Sequence, residues 1–184
     1  MYYLLVGKTK TGKPKFYTSK KSNGTPVDKI PDGYELHESP SDALVHVRKV
    51  RPTRLLPQEQ EQVADAVRSL AGQEQFILDV EGDSLVVYLP DTNADMATSL
   101  IGGIIGQPVA SLNSLKDWAQ KHSHYTPLMR FSLIDPDRRI FTAERWCFLG
   151  SIDDWFLLGR CDTLTNLLKS YVPHLGQESF FELM

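Results

Sequence analysis

The sequence predicts an α+β protein: a mainly antiparallel sheet built from successive hairpins, with about four helices packed against it. Three observations predict it. Apolar runs come in pairs separated by turn residues, at Thr11-Gly12, at Gly82-Asp83 and at "DPDRR", residues 135–139. Helix-like stripes fall between these groups and do not alternate with single strands, which argues against a βαβ order. The 184 residues are 41% hydrophobic and 23% charged, enough for one sizeable core without metal or disulfide.

The elements follow in order. "YYLLV", residues 2–6, and "KFYTS", residues 15–19, flank a turn and read as a lysine-rich β-hairpin. Residues 20–33 hold Gly24, Pro26, Pro31 and Gly33 and read as loop. "ALVHVRKV", residues 43–50, is a strand. A helix starts at Pro57, with Glu59 and Glu61 in its first turn, a stripe of Val63, Val67 and Leu70, and Gly72 as C-terminal cap. Residues 76–90 form a hairpin about Gly82-Asp83. A second helix is expected after Thr92, through Met96, Leu100 and Ile104, and a third from Ser114 with Leu115, Trp118, Ala119 and His122 on one face. Strands at 127–135 and 139–148 and a short one at 155–160 follow. A last helix, capped by Asp162, carries Leu164, Leu167, Leu168 and Tyr171 and stops at Pro173.

Two segments are expected, a basic β-rich stretch over 1–54 and an α+β core over 55–184, joined as one continuous globular unit. Residues 1–54 carry 11 Lys or Arg against 5 Asp or Glu, a net of +6. Residues 55–184 carry 9 against 18, a net of −9. A split of this kind marks a candidate anion-binding face at Lys8, Lys10, Lys13 and Lys15. Two cysteines, Cys147 and Cys161, make no disulfide framework. Residues 1–6 lack a cationic start, and the uncharged run Met96–Leu115 is too polar to span a bilayer. A cytoplasmic protein with reduced thiols and no membrane contact is expected.

"GKTKTGKP", residues 7–14, matches a phosphate-binding P-loop as far as Gly12-Lys13. The last position needs a hydroxyl for Mg²⁺ and holds Pro14, and strand-forming residues follow where a helix is required. The stretch therefore reads as the hairpin turn, with no nucleotide bound. "GGIIGQ", residues 102–107, is not a dinucleotide fingerprint, because no G-x-G-x-x-G follows a strand. Ile30-Pro31-Asp32-Gly33-Tyr34-Glu35 resembles the opening of a WW domain, Leu-Pro-x-Gly-Trp-Glu. Tyr34 stands where that family has Trp, and no later Trp-x-x-Pro completes a ligand groove, so proline-motif binding is not carried over.

Few residues suggest catalysis. Asp135, Asp137 and Glu144 are the acids that would hold Mg²⁺ in a hydrolase. Restriction-nuclease-like sites add a lysine two residues after the Glu, and here that residue is Trp146. Asp153 and Asp154 read as loop acids. His122 and His124 lack further ligands at metal spacing, and His122 continues an apolar stripe, so no metal and no cofactor is expected. Cys161 precedes a helix, but the Asp162 carboxylate opposes thiolate formation. Trp146, Phe148, Trp155 and Phe156 are expected in the core; Phe180 and Phe181, near the terminus, are the aromatics left for a partner. The expected function is non-catalytic binding of another macromolecule, a protein before a nucleic acid. The alternatives are weak, sequence-independent nucleic-acid binding through the N-terminal lysines, and a metal-dependent hydrolase.

Overall fold

The computed structural model describes residues 2–41, 43–90, 124–147 and 154–183. The chain divides into two compact units, Met1–Pro52 and Thr53–Met184.

The first unit is all β. Strands β1 (Tyr3–Lys8) and β2 (Pro14–Ser19) pair antiparallel from Tyr3↔Ser19 to Lys8↔Pro14, and β3 (Thr25–Pro26) adds to the other side of β1. Two further strands, β4 (Tyr34–Glu38) and β5 (Val45–Lys49), form a separate hairpin in which Glu35 faces Arg48 and bonds its Nε at 2.7 Å. The sequence reading assigned no strand to β3 or β4. Leu5, at 1% exposure, is the only buried hydrophobic residue of this unit among the described residues. Gly24 crosses directly over it. A Cβ there would lie 3.1 Å from both Leu5 Cδ1 and the Tyr17 hydroxyl, so a larger residue would push the loop off the sheet. The two small sheets are joined where Phe16 meets Tyr34 edge-on, with centroids 5.1 Å apart, and where the Thr18 hydroxyl donates to the Val45 carbonyl.

Among the described residues the second unit holds a five-stranded antiparallel sheet. Its strands are β6 (Ile77–Glu81), β7 (Ser84–Pro90), β8 (Tyr125–Asp135), β9 (Ile140–Cys147) and β10 (Asp154–Thr163), adjacent in sequence order. Alternation of side chains puts Leu85, Val87, Met129, Phe131, Leu133, Phe141 and Ala143 on one face. That face is covered by α1 (Pro57–Leu70) through Val63 and Val67, by α2 (Leu164–Tyr171) through Leu164, Leu167 and Leu168, and by Val172, Leu175 and Phe180 of the C-terminal 3₁₀ turns. Helix α1 begins at Pro57 as its sequence requires. The Glu59 carboxylate reaches back to accept the Leu56 N–H at 2.8 Å, which satisfies one donor the helix leaves open.

The expectation of about four helices on the sheet is corrected here. Strand accounts for 46% and helix for 21%, with only two α-helices among the described residues. The helices expected after Thr92 and from Ser114 lie outside the described residues. The structure invests instead in strand: β8 and β10 run longer than their apolar centres, β3 is only two residues long, and the alternation of β4 is confined to Tyr34 and Leu36. Two local readings also change. Leu70 is 43% exposed and is no part of the α1 stripe. Asp162 does not cap α2; Thr163 holds that position, and the Asp162 carboxylate accepts from the Thr163 N–H at 2.6 Å and from Asn166 Nδ2 at 3.1 Å.

No helix among the described residues is long and apolar enough to cross a membrane.

Candidate functional site

The hairpin turn over residues 7–14 is closed by its own first threonine. Thr9 donates its N–H to the Lys13 carbonyl at 2.8 Å, its hydroxyl bonds the Lys13 backbone on both sides, and the Gly12 N–H returns to the Thr9 carbonyl at 2.9 Å. Gly12 takes φ = 79°, which glycine adopts without strain. The N–H groups that a phosphate would need are thus spent on the turn, and strand β2, not a helix, follows. Lys8, Lys10, Lys13 and Lys15 are all exposed around it.

A groove of about 430 Å³ lies beside this hairpin, between β2 and β5. Its walls are Lys15 to Lys20 on one side and Leu44 to Val47 on the other, with Tyr2 at one end. The Thr18–Val45 hydrogen bond ties the walls together. Lys20 Nζ sits 5.8 Å from the centroid of the Tyr2 ring, within cation–π range. Among the described residues, no Asp or Glu lines the groove. It is apolar along its middle, at Val45 and Val47, and basic at Lys15 and Lys20. A volume of this size falls within the roughly 300–1,000 Å³ of ligand-binding clefts.

The acids named from sequence are not brought together. Asp135 Oδ1 accepts the backbone N–H groups of Asp137 and Arg138 at 3.1 and 2.9 Å, which is the turn chemistry that Asp-Pro-Asp provides. Glu144 stands opposite Arg130, several residues further along β8, and both of its oxygens are held by that guanidinium at 2.6 and 2.7 Å. Ser132 adds a bond to the same carboxylate at 3.3 Å, and the Arg130 guanidinium lies 4.4 Å from the Trp155 ring centroid. A carboxylate paired on both oxygens is a cross-strand strut, not a ligand arm. Among the described residues no group of three or more His, Cys, Asp or Glu is placed to hold a metal. His122 and Asp153 lie outside the described residues.

Of the terminal aromatics, Phe180 is 2% exposed and belongs to the core, while Phe181 is 68% exposed. Phe180 packs in the core cluster with Val172 and Leu175, and nearby the buried Arg145 donates from Nε to the Leu183 carbonyl at 2.8 Å. Cys147 is buried and Cys161 exposed, and both are free. The shifted titrating groups lie near α1. The side-chain hydrogen bond from Arg54 holds the Asp83 carboxyl below its ordinary range, and the Arg54 guanidinium is raised in return.

The groove was not legible in the sequence. Tyr2, Phe16, Tyr17 and Val45–Val47 meet only because β2 packs beside β5, 27 residues on, and no periodicity carries that pairing. The cluster of lysines was the one readable signal, and of the four named, Lys15 is the one that lines the groove. Comparison with protein-family models, with curated proteins and with solved structures finds no match.

Proposed function

We propose that this chain is a non-catalytic binding protein that engages another macromolecule through the groove of its N-terminal unit. The observation that carries the reading is the groove itself: an apolar floor, aromatic residues at Tyr2, Phe16 and Tyr17, and two lysines with no acid among the described lining residues. Few polar groups placed around an apolar cleft is the general form of a binding site. The acids of the rival hydrolase reading are occupied by a turn and by Arg130, which supports binding over hydrolysis. The two free cysteines support a reducing compartment, the cytoplasm.

The test is site-directed photocrosslinking in cell extract, with a benzophenone amino acid at Tyr2 and a control at the exposed Phe181. A discrete adduct from Tyr2 alone is the expected result. Adducts from both sites equally, or from neither, overturn the reading. A second reading, sequence-independent nucleic-acid binding, is favoured by the exposure of Lys8, Lys10, Lys13 and Lys15 around one turn. Four phosphate contacts would give a salt slope of about −3.6 on duplex DNA, so adduct yield that falls steeply with salt and with nuclease would select it.

A further inference from the structure

We infer that the occupant of the groove is an extended acidic polypeptide segment, with carboxylates at its two ends and apolar side chains between. This rests on the binding reading above and goes further by fixing the partner's chemistry. Four observations carry it.

The first is charge. Lys15 and Lys20 line the groove and both are exposed, and no acid among the described lining residues neutralises them. An anionic partner is the complement. The second is the distribution of that charge. Lys15 and Lys20 are five residues apart along β2 and just beyond it, while Val45 and Val47 form the facing wall. At about 3.3 Å per residue the two lysine Cα atoms lie about 17 Å apart. An extended peptide has the same rise and alternates its side chains, so two acids six residues apart lie on one face about 20 Å apart and would reach both flexible lysines. The residues between them would face the valines. The third is the wall. β2 is the outermost strand of its sheet and pairs only with β1 among the described residues. Edge strands are the usual guides for an extended chain.

The fourth observation separates a peptide from a nucleic acid. Single-stranded nucleic acid is held by bases stacking on open ring faces. The groove's rings are already engaged. Phe16 meets Tyr34 edge-on at 5.1 Å. Tyr17 lies across the glycines of its own sheet, its Cε1 3.4 Å from where a Cβ of Gly7 would sit and its hydroxyl 3.1 Å from that of Gly24. The ring of Tyr2 has Lys20 Nζ over it at 5.8 Å. Apolar walls with basic ends suit side chains and carboxylates better than bases.

The experiment is fluorescence anisotropy with the full chain and three probes. One is a labelled dodecapeptide with glutamates at its third and ninth positions, which share a face of an extended chain, and valine, threonine and serine between. The second is the same peptide with glutamines in place of the glutamates. The third is an oligo-dT of similar length. The acidic peptide should bind, and the glutamine peptide should bind about tenfold more weakly or worse. The Lys15→Glu, Lys20→Glu double variant should lose about tenfold for the acidic peptide, while Lys29→Glu, an exposed lysine outside the groove, stays within about twofold. The glutamine peptide on the unaltered protein keeps the test valid even where the double variant fails to fold. Equal binding of both peptides overturns the inference, as does no binding of either. Tighter binding of oligo-dT, lost in the double variant, overturns it too and leaves the broader binding reading standing. An adduct at Tyr2 with no acidic-peptide binding has the same meaning. Silence in both experiments removes both readings.

Discussion

The two units of this chain are built on opposite economies. The N-terminal unit orders two small sheets around one buried leucine, Leu5. The C-terminal unit buries a continuous cluster, from Leu55 to Phe180, beneath five strands and two helices. Small units bury a lower fraction of their surface and are correspondingly marginal. The larger unit pairs acids with arginines: Glu144 with Arg130, Glu59 with Arg139, Asp83 with Arg54. In the smaller one, no acid among the described residues lines the groove beside Lys15 and Lys20. The groove proposed as the binding site thus lies in the unit with the thinner core.

The contrast is open to mutation, from the largest effect to the smallest. Phe131→Ala, at the centre of the five-stranded sheet, should cost about 3–5 kcal/mol. Thermal unfolding of the full chain will show the main transition fall; a loss below about 1 kcal/mol would mean the core repacks freely. Leu5→Ala should cost about 2–4 kcal/mol. Its signature is regional: hydrogen exchange should become rapid in β1 and β2 while β7 to β9 stay protected. Uniform loss in both units would break the comparison, because it would make them one cooperative body.

Glu59→Gln comes next. The amide still accepts the Leu56 N–H but leaves the Arg139 guanidinium without its counter-charge. Arg139 is about one-third exposed, so water recovers part of the loss, and about 1–2 kcal/mol is expected by chemical denaturation.

The smallest effect is a change in pH dependence. The hydrogen bond from Arg54 lowers the Asp83 carboxyl below its ordinary value of 3.8. Its stabilisation is therefore complete above that pH and disappears as pH falls through the folded-state value. Asp83→Asn should flatten the acid limb of the stability profile and leave it unchanged near neutrality after a constant offset. An unaltered acid limb would show the pair to be fully screened by water.

What was legible in the sequence was local. Pro57, Glu59 and Gly72 wrote α1 plainly, and the Gly82-Asp83 turn with its flanking alternation wrote β6 and β7. The N-terminal hairpin followed from strand-formers placed where a P-loop would need a helix. Residues that depend on distant neighbours were not legible. β4 was missed because Tyr34–Glu38 is five residues with a single aliphatic, Leu36, too short an alternation to stand out from the loop before it. Leu70 obeys the helical stripe and is exposed nonetheless. Phe180 and Phe181 are adjacent and alike in sequence, and which of them enters the core depends on the distant residues they pack against. The groove belongs to the same class, since it exists only where β2 and β5 come together.

The outer edge of the large sheet carries one more consequence. Among the described residues β10 is its last strand, with Phe156 and Leu157 exposed at 43% and 57%, a profile that invites another chain to add on. The strand does not run straight. Leu158 faces Ala143 and Asp162 faces Phe141, so the residues between bulge out of register. Gly159 makes the bend at φ = 57°, and the Tyr171 hydroxyl sits 2.3 Å from the place a Cβ would occupy. Any side chain at 159 would meet both the backbone and the tyrosine. The bend breaks the ladder after only a few residues, too few to seed a growing stack of sheets. Gly159 thereby limits the length of straight edge that β10 can present to a neighbouring chain.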